Sequence, residues 1–360
     1  MYEGFLQIPM SYLHFLRKFV VMRRYIILLT VLILCSCGKE SDTPTPTHTE
    51  KKEYIIVGYA TYWDTVMPDP TLLTHINYSF AKIQNDFESL DIRTPSRLEK
   101  IVALKQTNPE LKVLLAIGGW GAGNFSEMAA DENHRKKFCE NCLAAINQYG
   151  LDGIDLDWEY PTSSSAGISS SPDDTKNFTL LLADLRATLG TDYLITMASA
   201  ATAKYVDFKS TVKYLDHVNI MSYDMGKPPK HNSALYTSSL ASRSCDDAVR
   251  LHLQAGVPYN KMTLGMPFYG HGNGTDFKSD VDFNEINTEG YSQMWDARAK
   301  VPYLVNKSGV MVLTYDNEKS IGYKADYIKS MGLRGAMYWR IEGDDTNWTL
   351  SKAIASRLLN

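Results

Sequence analysis

Cysteine is scarce in this chain: five residues in 360, too few for a disulfide scaffold. Surplus positive charge is missing as well. Against 37 Lys and Arg stand 41 Asp and Glu, for a formal net charge of −4. No basic stripe is available to displace counterions from phosphates, which excludes a nucleic-acid partner. Long apolar runs are almost absent; one stretch near the N-terminus is the single candidate, which excludes a multi-span membrane protein. There is no internal repeat of short period, and no glycine-rich phosphate loop opens any of the helical patterns. What remains is ordinary for a globular protein: 44% hydrophobic and 22% charged residues. The length accommodates one α/β barrel of roughly 250 residues or more.

The apolar stretch runs from Tyr25 to Leu34, behind Arg23 and Arg24. A basic flank and about ten apolar residues read as the core of an export signal, too short to span a bilayer comfortably. Leu34-Cys35-Ser36-Cys37 resembles a bacterial lipobox, which implies lipidation at Cys37 after removal of residues 1–36. A short uncleaved anchor is the other reading. Met22 is a more natural start for such a signal than Met1. Residues 37–52 form a lipidated Cys followed by a polar tether, without aliphatic or aromatic side chains and with Pro-Thr alternation. The expected location is that of an exported bacterial lipoprotein on the outer membrane, with membrane contact through the lipid alone.

From Glu53 onward, short β-rich runs alternate with longer amphipathic ones. The predicted strands are Tyr54–Tyr59, His75–Phe80, Val113–Ile117, Gly153–Trp158, Leu194–Ala198, His217–Met221, Met262–Pro267 and Gly335–Trp339. Helical patterns cover Arg97–Thr107, Glu132–Tyr149, Thr175–Leu189 and Ser244–Ala255. Eight strands alternating with helices predict the α/β class, as a closed parallel (β/α)8 barrel (a TIM barrel) over residues 53–360.

One strand carries the chemistry. In Asp152-Gly-Ile-Asp-Leu-Asp-Trp-Glu159, alternation puts Gly153, Asp155, Asp157 and Glu159 on one face and Ile154, Leu156 and Trp158 on the other. Three acids along one face of a buried strand are too costly to be structural filling. Like charges so close cannot all ionise, so at least one proton is expected to be held near neutral pH. Glu159 falls at the C-terminal end of the strand, where barrel active sites open. Asp152 has the opposite parity and reads as structural. A carboxylate-only cation site is the rival. With no His nearby on the same strand, neither a metal nor a cofactor is assigned.

Asp152-Gly-x-Asp155-x-Asp157-x-Glu159, followed by Tyr-Pro, resembles the signature of glycoside hydrolase family 18, the chitinases and related endo-β-N-acetylglucosaminidases. The resemblance extends to Gly58-Tyr59 with Trp63, to Ala116-Ile117-Gly118-Gly119-Trp120, and to Met221-Ser222-Tyr223-Asp224. It continues through Gly265-Met-Pro-Phe-Tyr269-Gly270 and Ala336-Met-Tyr-Trp339. The chain departs from the pattern twice: Ala116 replaces a usual Ser, and His271 stands where Arg is common.

The resemblance implies a retaining, substrate-assisted hydrolysis of β-1,4 linkages between N-acetylglucosamine units, as in chitin or chito-oligosaccharides. Glu159 would be the acid and base, Asp157 would hold the substrate acetamido group, Asp155 would share a proton with Asp157, and Tyr223 would donate to the acetamido oxygen. Substrate contacts are implied for Tyr59, Gly118, Gly119, Trp120, Met221, Asp224, Tyr269 and Trp339. Phe80, Trp63 and Trp158 fit core or cleft equally. An endo-β-N-acetylglucosaminidase acting on N-glycan cores and a non-catalytic glycan-binding lectin are the competing readings.

Cys139 and Cys142 fall within one helix, where a disulfide is geometrically poor, and are expected as free thiols. Between the seventh strand and its helix, Tyr291–Thr314 reads as a short insertion, implying a shallow cleft. The chain is expected to act as a monomer.

Overall fold

The computed structural model describes residues 53–360; the expected signal, Cys37 and the tether lie outside the described residues. In chain order the strands are β1 Ile55–Thr61, β2 His75–Ile83, β3 Leu90–Ile92, β4 Lys112–Gly118, β5 Gly153–Asp157, β6 Leu194–Ala200, β7 His217–Met221, β8 Met262–Pro267, β9 Tyr269–Gly272, β10 Asp280–Asp282, β11 Ser292–Asp296, β12 Val301–Val305, β13 Met311–Thr314 and β14 Gly335–Trp339. The helices are α1 Pro95–Ala103, α2 Phe125–Ala130, α3 Glu132–Tyr149, α4 Asp174–Leu189, α5 Phe208–Thr211, α6 Cys245–Ala255, α7 Glu318–Met331 and α8 Thr349–Leu358.

Eight strands pair in parallel in the order β1-β14-β8-β7-β6-β5-β4-β2, and β2 pairs back onto β1, so the barrel closes. The short β3 adds antiparallel to β2 outside this ring. Ile154, Leu156 and Trp158 are buried against the helical shell; Trp158 stacks on Phe125 of α2 at 5.3 Å and meets Phe178 of α4 edge-on. Trp158 is therefore core. The opposite face of β5 points into the barrel.

Local sequence explains the helix ends. The Asp131 carboxylate accepts the Asn133 and His134 amides at the start of α3, and Gly150 ends that helix in left-handed backbone, which a glycine adopts without steric cost. Ser244 caps α6 in the same way, and Asn317 forms a reciprocal capping box with Ser320 at α7. Cys139, Cys142 and Cys245 are buried free thiols.

The insertion is more extensive than the sequence suggested. It begins directly after β8 and builds a five-stranded antiparallel sheet, β10-β9-β13-β12-β11, before α7. Tyr269–Gly272, expected only as the tail of the seventh-strand motif, is its second strand. The alternation of this segment was obscured by its two glycines, and the pairing of β9 with β13 joins residues more than forty positions apart.

Candidate active site

Register brings the inward residues of neighbouring strands level. Asp155 pairs with Ala116 on β4 and with Thr196 on β6, while Gly118 is level with Asp157. Asp155 is fully buried and accepts three hydrogen bonds: Tyr59 Oη at 2.7 Å, Thr196 Oγ1 at 2.5 Å and Asn219 Nδ2 at 3.0 Å. Thr196 and Asn219 escaped the sequence reading, because what they touch depends on register between strands far apart in the chain. They supply donors beside Ala116, which has no hydroxyl to offer.

Asp157 is one step higher and 4% exposed, and its Oδ1 has no hydrogen-bond partner among the described residues. No hydrogen bond joins Asp155 to Asp157; the Asp155 oxygens are engaged by the three donors. Asp152, facing away, accepts the Val113 amide and pairs with Lys105.

Gly118 and Gly119 do not line the cavity. Both have positive φ, and a Cβ on Gly118 would lie 2.1 Å from the Asp157 carbonyl oxygen. A Cβ on Gly119 would meet the Phe80 ring at 2.6 Å, and the Gly119 amide donates to the Asp157 carbonyl at 2.8 Å. These glycines let two backbones approach where β5 ends.

Electrostatics sort the acids. Burial pushes the Asp155 carboxyl up, against the downward pull of Thr196 and Tyr59. Burial, followed by the Glu159 and Asp155 charges, holds Asp157 well above the usual carboxylate range. Burial raises Glu159 to about 7, with the Tyr160 hydroxyl opposing and the Asp224 charge adding to the rise. Glu159 is thus a carboxylic acid that keeps its proton close to neutral pH.

Around these acids lies a cavity of about 610 Å³. Trp339 lies against it, stacked on Phe80 at 5.5 Å and 16°, with Tyr59 at 5.7 Å. Tyr223, Met221, Tyr269 and Ala198 wall it, and Asp224 and the exposed Trp120 stand at its mouth. Tyr223 Oη lies 3.8 Å from Met337 Sδ, and the Tyr223 ring meets Tyr269 edge-on. Phe80 therefore belongs to the cavity. Trp63, 52% exposed and 6.5 Å from Trp339, extends its aromatic rim. Beyond Trp120 and Tyr269 the cavity opens into a wider space of about 1260 Å³, bordered by His271, Lys278, Asp280, Asp282 and Arg340. Among the described residues no group of three or more His, Cys, Asp or Glu side chains is placed to hold a metal ion.

A closed parallel barrel with a proton-holding carboxyl at a strand's C-terminal end, set among aromatic rings, has the makings of a sugar-cleaving site. Residues 55–344 match glycosyl hydrolases family 18, and the chain belongs to that family. It is 34% identical to Chitinase A1 of Niallia circulans, over 85% of this chain and 58% of that protein. It is 31% identical to mouse Chitotriosidase-1, over 77% of this chain and 68% of that one. Among solved structures, a family 18 N-acetylglucosaminidase from Paenibacillus barengoltzii superposes with a TM-score of 0.76 at 34% identity, covering 85% of this chain and all of the other. The cell-surface chitinase ChiW of Paenibacillus gives 0.78 at 32% identity, covering 85% of this chain and 43% of that one.

Proposed function

We propose that the protein hydrolyses β-1,4 linkages between N-acetylglucosamine units with retention, the substrate's own acetamido oxygen acting as nucleophile. The observation that carries this reading is the pairing at the end of β5: Glu159 with its proton held to about pH 7, beside the buried Asp157 with one unengaged oxygen. Glu159 donates its proton to the glycosidic oxygen as the bond to the anomeric carbon breaks. The acetamido oxygen closes on that carbon, forming an oxazolinium ion. Asp157 Oδ1, unengaged in the free site, accepts the acetamido N–H and holds the group in place, while Tyr223 Oη donates to the acetamido oxygen. Asp155, held by its three donors, supports Asp157 from below. Glu159, now a carboxylate, draws a proton from the water that opens the ring. Positioning supplies effective concentration, and hydrogen bonds to the acetamido group strengthen as charge develops at the anomeric carbon. The relatives named as chitinases and as an N-acetylglucosaminidase support this substrate class.

Product analysis on chitotetraose and on a high-mannose glycoprotein tests the reading. Cleavage of chitotetraose, with β-anomer first by early-time NMR, is expected. Release of intact N-glycans with chitotetraose untouched would transfer the activity to N-glycan cores, and α-anomer would exclude the acetamido mechanism. Attachment of the chain to the outer membrane through lipid on Cys37 is part of the same proposal, supported by the sequence around Leu34–Cys37.

A further inference from the structure

His271 of β9 is held between two carboxylates. Its Nε2 lies 2.8 Å from Asp224 Oδ1, and its Nδ1 lies 2.7 Å from Asp280 Oδ1 and 3.2 Å from the Ser279 carbonyl oxygen. Every partner is an acceptor. A neutral imidazole carries one N–H and would leave one nitrogen lone pair facing a carboxylate oxygen; only the doubly protonated ring satisfies both sides. The side chain is 4% exposed, so water cannot easily relieve such a mismatch.

The other groups facing it are few. Tyr269, on the same strand, packs edge-on against the ring and donates to Asp224 Oδ1 at 2.6 Å. Leu313 and Thr314 of β13 pair with the His271–Gly272 backbone and bring no charge. Asp280 lies on β10, and Lys227 acts on Asp224 from the loop after β7. Asp224 itself stands at the cavity mouth, and its charge reaches Glu159. The insertion is thereby joined to Asp224 through the His271 imidazole and the Tyr269 hydroxyl.

We propose that His271 is a positioning residue: as an imidazolium clasped between Asp224 and Asp280, it fixes Asp224 against the insertion wall and screens that carboxylate's charge from Glu159. The proposal rests on Glu159 being the acid, and it goes further by assigning the insertion a share in setting that acid's proton affinity. The directions agree. Burial lowers the His271 proton affinity, but Asp224 and Asp280 outweigh it and the net shift is upward. Asp224, though raised by burial, ends below its usual range through its bonds to His271 and Tyr269.

Two measurements test it. In the full chain, the His271 imidazole titration followed by NMR is expected above the ordinary histidine range, with both ring nitrogens protonated at pH 6. Asp280→Asn, at an exposed carboxylate that endangers folding little, should lower that titration. A single neutral tautomer at pH 6 would overturn the proposal without need of any substrate. In the pH profile of kcat/KM on chito-oligosaccharide, His271→Gln should move the alkaline limb upward by about half a pH unit, because the partly solvated Asp224 charge is no longer screened. His271→Arg should restore the limb toward its original position. A role in packing alone would lower kcat/KM in both variants with the limb unmoved, and that result would overturn the screening. Failure of wild type to cleave the oligosaccharide would strike the proposed function and leave the NMR result to decide the clasp.

Discussion

In the proposed mechanism Glu159 can act as an acid only while it carries a proton, and removing the exchangeable proton while keeping shape isolates that role. Glu159→Gln should lower turnover on unactivated oligosaccharide by about 10²-fold or more, with binding largely kept in calorimetry. The same substitution has a stability signature. A carboxyl whose folded affinity for a proton exceeds its unfolded one contributes stability below the unfolded pKa and loses it as pH rises through the folded value. For Glu159 the window runs from 4.5 to about 7. The variant should match wild type at pH 4 and exceed it at pH 8, by about 1–3 kcal/mol. Denaturation curves at the two pH values check this; equal differences at both would mean that Glu159 titrates as an ordinary surface acid.

At the scale of elements, the β4–β5 junction sets where Asp157 sits. Ala at position 118 would require backbone movement, since its Cβ falls 2.1 Å from a carbonyl oxygen and φ is +122°. Gly118→Ala should therefore cost about 2–4 kcal/mol and depress kcat together with stability. Trp120 presents the opposite case. It is 62% exposed on the loop after β4, so Trp120→Ala should leave the melting temperature unchanged and raise KM about tenfold by loss of a stacking face. A melting shift without a KM change would place Trp120 outside the binding surface.

These elements also show what could be read beforehand. Helix α3 has the predicted bounds, Glu132–Tyr149, because its ends carry their own local signals: a capping Asp131 and a terminating Gly150. The acid face of β5 was legible because alternation is a property of one strand. The partners of Asp155 were not, because Thr196 and Asn219 arrive from β6 and β7 and their level is fixed only by pairing. The insertion was half legible: Tyr291–Thr314 was expected as one, whereas its sheet depends on pairing between distant residues and β9 hid inside a motif. Trp63, Phe80 and Trp158 were indistinguishable by composition; only packing separates the buried Trp158 from the exposed Trp63.

For the whole molecule, residues 53–360 contain the complete closed ring of strands. Residues 55–61 form β1, buried throughout and paired on both sides. A chain starting at Lys52 should therefore fold, remain soluble and retain the full chain's activity on chito-oligosaccharide. The full chain should take up labelled fatty acid and sediment with membranes, and Cys37→Ala should abolish the labelling. Unlabelled wild type in the soluble fraction would reduce residues 1–36 to an ordinary secretion signal.

Closure of the barrel also separates its two rims. All eight strands run the same way, so Ile55 enters at the rim where strands begin, and Glu159 and Trp339 lie at the rim where they end. If the chain is held at Cys37, as proposed, the pull reaches the barrel at the rim where its strands begin, opposite the one that carries Glu159 and Trp339. A lipid-held copy should then meet a polymer approaching from the far side as freely as an untethered one. Equal kcat/KM on soluble oligomers for the vesicle-bound and Lys52-start forms is the expected reading, and a several-fold deficit in the bound form would mean that the mouth is pressed toward the bilayer.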